Sequence, residues 1–572
     1  MIRETLQAIV TDALASLGIE SVEPMLTHPD ELEHGDFATN AALVAAHMAG
    51  EQPRDVAENI AAYVRAHQPD EIERVDVAGP GFVNFYLSPT FFADSIHEIM
   101  DAGDAFGRGE ALAGRSIMVE HTQPNVLKVF HLGHLMSNCI GESLTRLFEA
   151  HGARVVRANY QGDVGMHVAK ALWGIKQRVG QQPVDDAPLA EQTAFIGDAY
   201  VAGAAAYEED EEARREIKKI NALVYAQSDA EINKLYQWGR KVSLDHFEEI
   251  YAKLGTRFDH YFFESDVAYD GTELVEKHLK EGVFETSEDA VIFDAEKHGL
   301  HKRVFINSDG LPTYEAKDLG LNVRKFHLEP KLDRSLIITA NEQDEYFKVV
   351  LKALEKIAPE IAEKTEHISH GMMRFPDGKM SSRKGNVVTG ESLVNDVEAR
   401  VRDIIVDRDL AGGQRDRIAE QVGVAAVKYM VLRQSIGRNI AFDIDTSVSF
   451  EGDSGPYLQY TYTRASAVIE KARERGITPS VEYREGWQTT DLEHLLYQFP
   501  EIVERAAYQY APHHLTTYLT RVASTFNAYY ATERIVETDD ALSPYKIALT
   551  YAVRHVMKNG LYLLGIEAPE RM

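Results

Sequence analysis

The sequence predicts an α/β catalytic domain with a parallel sheet, preceded by an N-terminal α+β domain and followed by a C-terminal all-α domain. Three observations carry this. Ser116-Ile117-Met118-Val119-Glu120 reads as a buried strand, leads through a helical segment, and is followed by a second strand, Val155-Val156-Arg157-Ala158-Asn159. That β-α-β order implies parallel pairing. Upstream, strands of period two alternate with helices of period 3.6, and after Gly390 only helical periodicity remains. A chain of 572 residues also exceeds one hydrophobic core and calls for several domains.

Residues 1–105 open on Leu6, Ile9, Val10, Leu14 and Leu17 at helical spacing, closed by Gly18. A loop, His34 to Asn40, precedes an Ala-rich helix. Val75-Asp76-Val77 and Gly81 to Leu87 read as strands by alternation. A glycine-rich linker (Gly103, Gly107, Gly109, Gly114) leads to residues 106–390. There the polar turn Thr122 to Asn125 follows the first strand, and a helix beginning near His131 carries Leu135, Ile140, Leu144 and Leu147. The stretch near 186–255 is helical and acidic and reads as an insertion. Strand signals return at Ala290 to Phe293, Val304 to Ile306 and Ser335 to Thr339. Residues 391–572 are helical, punctuated by Gly412-Gly413, Gly452 to Pro456, and Pro479. There is no internal repeat, and no G-x-G-x-x-G dinucleotide fingerprint.

Composition narrows the function classes. Hydrophobic residues at 44% and charged residues at 26% are ordinary for a globular protein. No segment approaches the ~18–20 apolar residues of a membrane helix, and the first residues lack the pattern of a signal peptide. A single cysteine, Cys139, excludes an intrachain disulfide and any multi-cysteine zinc site, so a cytoplasmic location is expected. The net charge of −30 argues against coating by nucleic acid but leaves room for a local positive patch. Arg374, Lys379, Arg383 and Lys384 against Asp377 form such a patch. The run Glu208-Glu209-Asp210-Glu211-Glu212 reads as a solvated helix face.

Two short motifs carry chemistry. His131 and His134, at i and i+3 on a helix start, share a face. Gly133 lets a nucleotide approach the backbone, and the helix N-terminus adds N–H donors for phosphate. Lys379, between Gly378 and Gly385 with Ser381 and Ser382 beside it, is a mobile cation that can reach a leaving pyrophosphate.

Taken with their surroundings, these motifs resemble the arginyl-tRNA synthetase family, a class I aminoacyl-tRNA synthetase family, nearly end to end. The blocks that carry the resemblance begin with Pro124-Asn125 through His131-Leu132-Gly133-His134, and with Arg157 to Gly165. They continue with Phe258 to Ser265, Ser308 to Tyr314 with Asp318, and Ala340-Asn341-Glu342-Gln343. The last are Lys379-Met380-Ser381-Ser382, Gly455 to Tyr460 and the closing Gly565 to Met572. His34 to Phe37 and Gly79 to Asn84 are similar to the family's extra N-terminal domain.

The resemblance implies a Rossmann-like catalytic fold that activates L-arginine with ATP and transfers it to tRNA(Arg), with tRNA needed for the first step. It implies catalysis by His131, His134 and Lys379, and ATP contacts from His131, Gly133, His134, Lys128, Lys379 and Lys384. Arginine would meet Asn125, Glu264, Tyr314, Asp318 and Gln343. A planar cationic substrate wants carboxylates and flat acceptors, and these residues supply them. Phe82 and Asn84 would touch the tRNA outer corner, and Tyr457 and Tyr460 the anticodon side. Mg²⁺ would come with ATP, no zinc or other resident metal is expected, no membrane partner is implied, and a monomer is expected. Arg383 stands where the family usually has the second lysine of its loop motif, with Lys384 next, so which cation meets the phosphate stays open. The competing classes are a small-molecule nucleotidyltransferase, disfavoured by the long helical C-terminus, and a non-catalytic tRNA-binding relative, disfavoured by intact His131, His134 and Lys379.

Overall fold

The first helix forms because Leu6, Ile9, Val10, Ala13 and Leu14 recur on one face and all become buried. In the computed structural model, which describes residues 2–29, 31–178, 180, 186–375, 388–408, 412–482 and 487–572, this helix, α1 (Ile2–Ser16), stops where the Ile19 N–H reaches back to the Leu14 carbonyl (3.0 Å) and Gly18 takes φ +75°. Glycine adopts that left-handed closure without penalty. The loop holding Lys379 and Lys384 lies outside the described residues.

The chain forms two compact units, Met1–Phe106 with Thr461–Pro500 and Arg521–Asn559, and Gly107–Tyr460 with Glu501–Thr520 and Gly560–Met572. The first contains α1, α2 (Ala41–Ala49), α3 (Pro53–Ala66) and α4 (Pro89–Ala102). These accompany an antiparallel sheet of β1 (Leu26–Thr27), β2 (Phe37–Thr39), β3 (Ile72–Ala78) and β4 (Phe82–Leu87), in the order β1-β2-β4-β3. Phe37, Val83 and Phe85 from the sheet meet Val56, Ile60 and Val64 from α3 in one core. Both strands expected here from alternation are present.

The second unit is built on a five-stranded parallel sheet. Its strands are β5 (Ser116–Glu120), β6 (Arg154–Gln161), β7 (His260–Phe263), β11 (Arg334–Ala340) and β12 (Thr365–His370), in the order β12-β11-β5-β6-β7. The helix α5 (Leu132–Ala150) joins β5 to β6 as the sequence pattern requires. The chain first runs from β5 outward to β7, then returns to place β11 on the other side of β5. The order therefore reverses between β5 and β11, and a parallel sheet opens a crevice beyond its carboxyl ends at such a switch point.

Between β6 and β7 come α6 (Met166–Gln177), α7 (Leu189–Glu209), α8 (Glu211–Ala226) and α9 (Ala230–Lys253). The acidic run is solvated, but it is not one helix face. Asp210 breaks it, with extended backbone (φ −124°, ψ 118°), and its carboxylate accepts from the Glu212 and Ala213 N–H groups at 2.8 and 3.3 Å. An aspartate with two helix-start donors within reach caps a new helix rather than continuing the old one.

After α10 (Glu264–Lys280), the strands β8 (Glu285–Ser287), β9 (Ala290–Phe293) and β10 (Arg303–Ile306) form a separate antiparallel sheet, not part of the parallel one. The reason is local: Glu288 and Asp289 both take positive φ (+49° and +59°) in a two-residue turn, the geometry of a tight hairpin, whereas a parallel crossover needs a dozen or more residues. α11 (Tyr314–Leu328) then packs on α10 and β10, and α12 (Asp344–Ile357) on α11 and β12. From Gly390 the chain is mainly helical, with helices at Gly390–Ile404, Gly412–Leu432, Gly455–Glu474, Phe499–Tyr508, His513–Thr532 and Ser543–Leu563. Ile440–Ala441 makes a two-residue strand against Met373–Arg374.

Candidate active site

The crevice at the switch point holds a cavity of about 470 Å³. Its wall is drawn from the carboxyl ends of all five parallel strands, among them Glu120, Tyr160, Glu264, Thr339 and His370, from the start of α5, and from α11. The backbone leaving β5 is strained. Thr122, Gln123 and Leu127 take φ of +78°, +53° and +60°, a region that costs a non-glycine residue about 1–3 kcal/mol. Each is pinned through its N–H by a side chain from another element. Ser137 Oγ accepts from Thr122 (3.0 Å), Asn159 Oδ1 from Gln123 (3.2 Å) and Ser243 Oγ from Leu127 (2.9 Å). Strain held this firmly fixes the turn that carries Asn125 to the cavity edge.

One end of the cavity is formed by the start of α5. His131 is its N-cap and His134 its third residue, and their rings stack with centroids 3.3 Å apart. Each imidazole satisfies the other's backbone: the His134 N–H donates to His131 Nδ1 (3.4 Å), and the His131 N–H donates to His134 Nδ1 (3.2 Å). Both Nδ1 atoms are thereby acceptors. A neutral imidazole then carries its proton on Nε2, which leaves each ring one donor for a ligand. Burial first, then Lys128 and His370, lowers His131 to about 4, and burial first, then His131 and Lys128, holds His134 well below the ordinary histidine value, which favours neutral rings. Helix-terminal N–H groups and two N–H donors without net charge suit phosphate oxygens. Gly390 abuts this turn, its N–H donating to the Phe130 carbonyl (2.8 Å), and a Cβ there would lie 2.9 Å from the His131 carbonyl oxygen.

The other end is acidic. Asn125 forms a bridge with Gly162, where a Cβ would come within 2.1 Å of Asn125 Oδ1, so only glycine lets the asparagine reach the cavity. Glu264, the first residue of α10, is buried and paired with Lys317, whose ammonium lies 4.5 Å from the Tyr314 ring centroid. Burial raises the Glu264 carboxyl and Lys317 opposes it. Lys325, the cation acting on Asp318, is itself paired with Glu120, so among the described residues Asp318 has no ion pair of its own. It accepts from the Tyr346 hydroxyl at 2.5 Å, and burial, with repulsion from Glu120 and Glu264, raises its carboxyl to about 7 despite that bond. Glu120 is bound by Lys325 and by Gln123 (2.6 Å). Behind Glu264, Asp163 is fully buried and accepts from the Ser265 N–H (2.9 Å) and hydroxyl (2.8 Å), from Tyr236 (3.1 Å) and from Arg240 (3.0 Å), which locks the start of α10.

The cavity thus brings together His131, Gly133, His134, Asn125, Glu264, Tyr314, Asp318 and Gln343. Lys128 does not line it: its ammonium lies 5.3 Å from the Tyr200 ring centroid. Lys379 and Lys384 lie outside the described residues. Phe82 and Asn84 belong to β4 in the other unit, Phe82 at 39% exposure and Asn84 at 4%. Tyr457 and Tyr460 are half-buried on the helix Gly455–Glu474. Sequence reasoning missed Glu120, Tyr160, Lys317, Tyr346 and His370. Asp163 sat inside a quoted block without being singled out; its neighbours Gly162 and Gly165 were the available signal.

Strand order, switch-point cavity and paired histidines at a helix start define a class I synthetase catalytic fold, and comparison with known proteins makes it particular. Residues 98–444 match the family described as tRNA synthetases class I (R), catalytic domain, residues 4–87 match the arginyl tRNA synthetase N terminal domain, and residues 458–572 match the DALR anticodon binding domain. The chain is 30% identical to an arginine–tRNA ligase of Lactococcus lactis over 99% of both chains, and 29% identical to one of Clostridium perfringens over 97% of both. Its fold matches Thermus thermophilus arginyl-tRNA synthetase over 100% of both chains with a TM-score of 0.79, at 23% identity. The chain belongs to the arginyl-tRNA synthetase family.

Proposed function

We propose that the cavity is the site where arginine meets ATP, with the nucleotide's phosphates at the histidine end and the guanidinium at the acidic end. As a member of its family, the chain activates L-arginine with ATP and transfers it to tRNA, releasing AMP and pyrophosphate. The observation that carries the assignment of ends is Asp318: a buried carboxyl with no ion pair of its own among the described residues, in the same cavity as two neutral imidazoles at a helix start.

In this reading the His131 and His134 Nε2–H groups donate to phosphate oxygens as charge builds at the α-phosphorus, and Gly133 admits the nucleotide. Lys379, with Arg383, Lys384 and Lys128 as alternatives, meets the leaving pyrophosphate. Asn125 holds the substrate's amino-acid end, Tyr314 and Gln343 supply a ring and an amide, and Glu264 and Asp318 take the guanidinium. Mg²⁺ enters on the ATP phosphates. Among the described residues the one group able to supply three metal ligands is Glu31, Glu33 and His34, exposed and in the other unit, so the ion's support would be the nucleotide itself.

The helical region 391–572 is proposed to read tRNA(Arg) through the anticodon, with Tyr457 and Tyr460, and residues 1–105 the outer corner. There the exposed Phe82 is better placed than the buried Asn84. No described helix is long and apolar enough to cross a membrane; a cytoplasmic monomer is the proposed working form, consistent with a lone buried cysteine. The test is pyrophosphate exchange with each of the twenty amino acids, with and without tRNA. Exchange with arginine alone, dependent on tRNA, is expected; exchange with another amino acid would overturn the reading.

A further inference from the structure

The acidic end of the cavity contains a polar group that nothing around it satisfies. The Tyr160 hydroxyl is buried and has no hydrogen-bond partner among the described residues, and Tyr160 lines the cavity. Its orientation follows from the strand. Side chains alternate along β6: Asn159 and Gln161 face one way, where both donate to the Tyr251 hydroxyl (3.0 and 3.1 Å). Tyr160 faces the other, packed against the cluster that includes Met118, Ala158, Phe262 and Leu321. The ring is therefore anchored by apolar contacts while the hydroxyl stands among the carboxylates of Glu264, Asp318, Glu120 and Asp163. Burial first, then these charges, keeps the phenol protonated.

Each of those carboxylates already has a partner: Lys317 on Glu264, Tyr346 on Asp318, Lys325 on Glu120, and Ser265 with Arg240 on Asp163. A phenylalanine would pack the same ring without burying an unmatched hydroxyl, so packing does not account for a tyrosine here. A guanidinium presents five N–H donors in one plane, and the two carboxylates facing it are partly engaged. A third acceptor at the same end would complete the set.

We propose that Tyr160 is a further arginine-specificity residue, its hydroxyl oxygen accepting one guanidinium N–H. The phenol keeps its proton. This rests on the reading of Glu264 and Asp318 as guanidinium acceptors. A site whose polar groups are matched only by the right ligand rejects one that leaves them unpaired.

The test compares full-length Tyr160→Phe and Asp318→Asn with the parent chain in tRNA charging, together with ligand-free thermal unfolding. The expected result for Tyr160→Phe is an arginine KM raised about tenfold with the ATP KM within about twofold of the parent, the effect of one lost hydrogen bond to a charged group. Its ligand-free Tm should be equal or higher, because the unmatched hydroxyl is gone. If the arginine KM rises in Asp318→Asn but not in Tyr160→Phe, Tyr160 is overturned and the acidic pocket stands. If it rises in neither, the guanidinium reading beneath the proposal falls as well. A Tm loss in Tyr160→Phe with arginine and ATP affected alike would mark the hydroxyl as structural and overturn the proposal.

Discussion

The two ends of the cavity handle polar groups in opposite ways. At the histidine end the protein satisfies itself: each imidazole caps the other's backbone, both rings are neutral, and one donor per ring is left for a ligand. At the acidic end two carboxylates are matched by lysines from α11, but Asp318 keeps a carboxyl raised to about 7 with a tyrosine as its partner. The first end is a fixed donor array, ready for any phosphate. The second is incomplete without a cation. Binding of a triphosphate common to many enzymes can rest on a generic device, while selection of one amino acid rests on the carboxylate that has a hydroxyl partner and no ion pair among the described residues.

If this contrast holds, the largest effect of a single change falls at the incomplete end. Asp318→Asn keeps an acceptor for Tyr346 but removes the charge, and is expected to weaken arginine binding by about 2–5 kcal/mol; arginine and ATP KM values measured side by side check it. An unchanged arginine KM would remove Asp318 from the site.

Next in size is the phosphate loop. Lys379→Ala is expected to lower kcat about a hundredfold or more with little change in either KM, as for a group acting in the transition state. Lys384→Ala should do less, and a reversed ranking in single-turnover rates would move the catalytic cation to Lys384.

At the histidine end, His131→Asn separates donation from capping. Asparagine is a good N-cap but lacks the Nε2–H. Its kcat should fall by about tenfold to a hundredfold with Tm preserved, whereas His131→Ala should lose about 1 kcal/mol of stability as well. Equal Tm losses in both would contradict the capping geometry.

The smallest effect is on the pH dependence of stability, where the ends should have opposite signs. The histidines titrate near 6.5 when unfolded and lower when folded, so the unfolded chain binds more protons and stability falls as pH drops from about 6.5 towards 4. Asp318 titrates near 3.8 when unfolded and at about 7 when folded, so its burial is tolerated at low pH and costs stability as pH rises through 7. Asp318→Asn should therefore raise Tm above pH 7 and make little difference near pH 4. A Tm difference independent of pH would break the comparison.

How much of this was readable beforehand differs between the ends for physical reasons. The β5-α5-β6 unit, the first helix and the strands of β3 and β4 follow from periodicity, because burial on one face leaves a regular mark. The histidine end is local, two residues at i and i+3 on one helix start, and so left a motif. The acidic end is assembled from β5, β6, β7 and α11. Glu264 and Asp318 were legible only through resemblance, and Glu120 not at all, since one carboxylate among 90 acidic residues carries no signal of its own. Tyr160 and Tyr346 are two of 26 tyrosines, and their roles follow from neighbours far away in sequence. The strand signals at Ala290 to Phe293 and Val304 to Ile306 are strands, but their separate sheet was not legible, because alternation gives strand identity and not partner. The acidic run was misread because capping by Asp210 depends on backbone angles that composition does not encode.

On this reading Asp318 must be ionised to take the guanidinium, and burial holds its carboxyl near the balance point until it does. Arginine KM measured across pH 5.5 to 8.5, a span of about 1.5 units on either side of the ~7 to which burial raises the carboxyl, tests it directly when the parent chain and Asp318→Asn are run together. The parent's KM is expected to fall as pH rises through about 7 and then level, while that of Asp318→Asn stays high and flat over that interval. A parent KM that does not change across neutrality, or a variant that keeps the parent's slope, would contradict it.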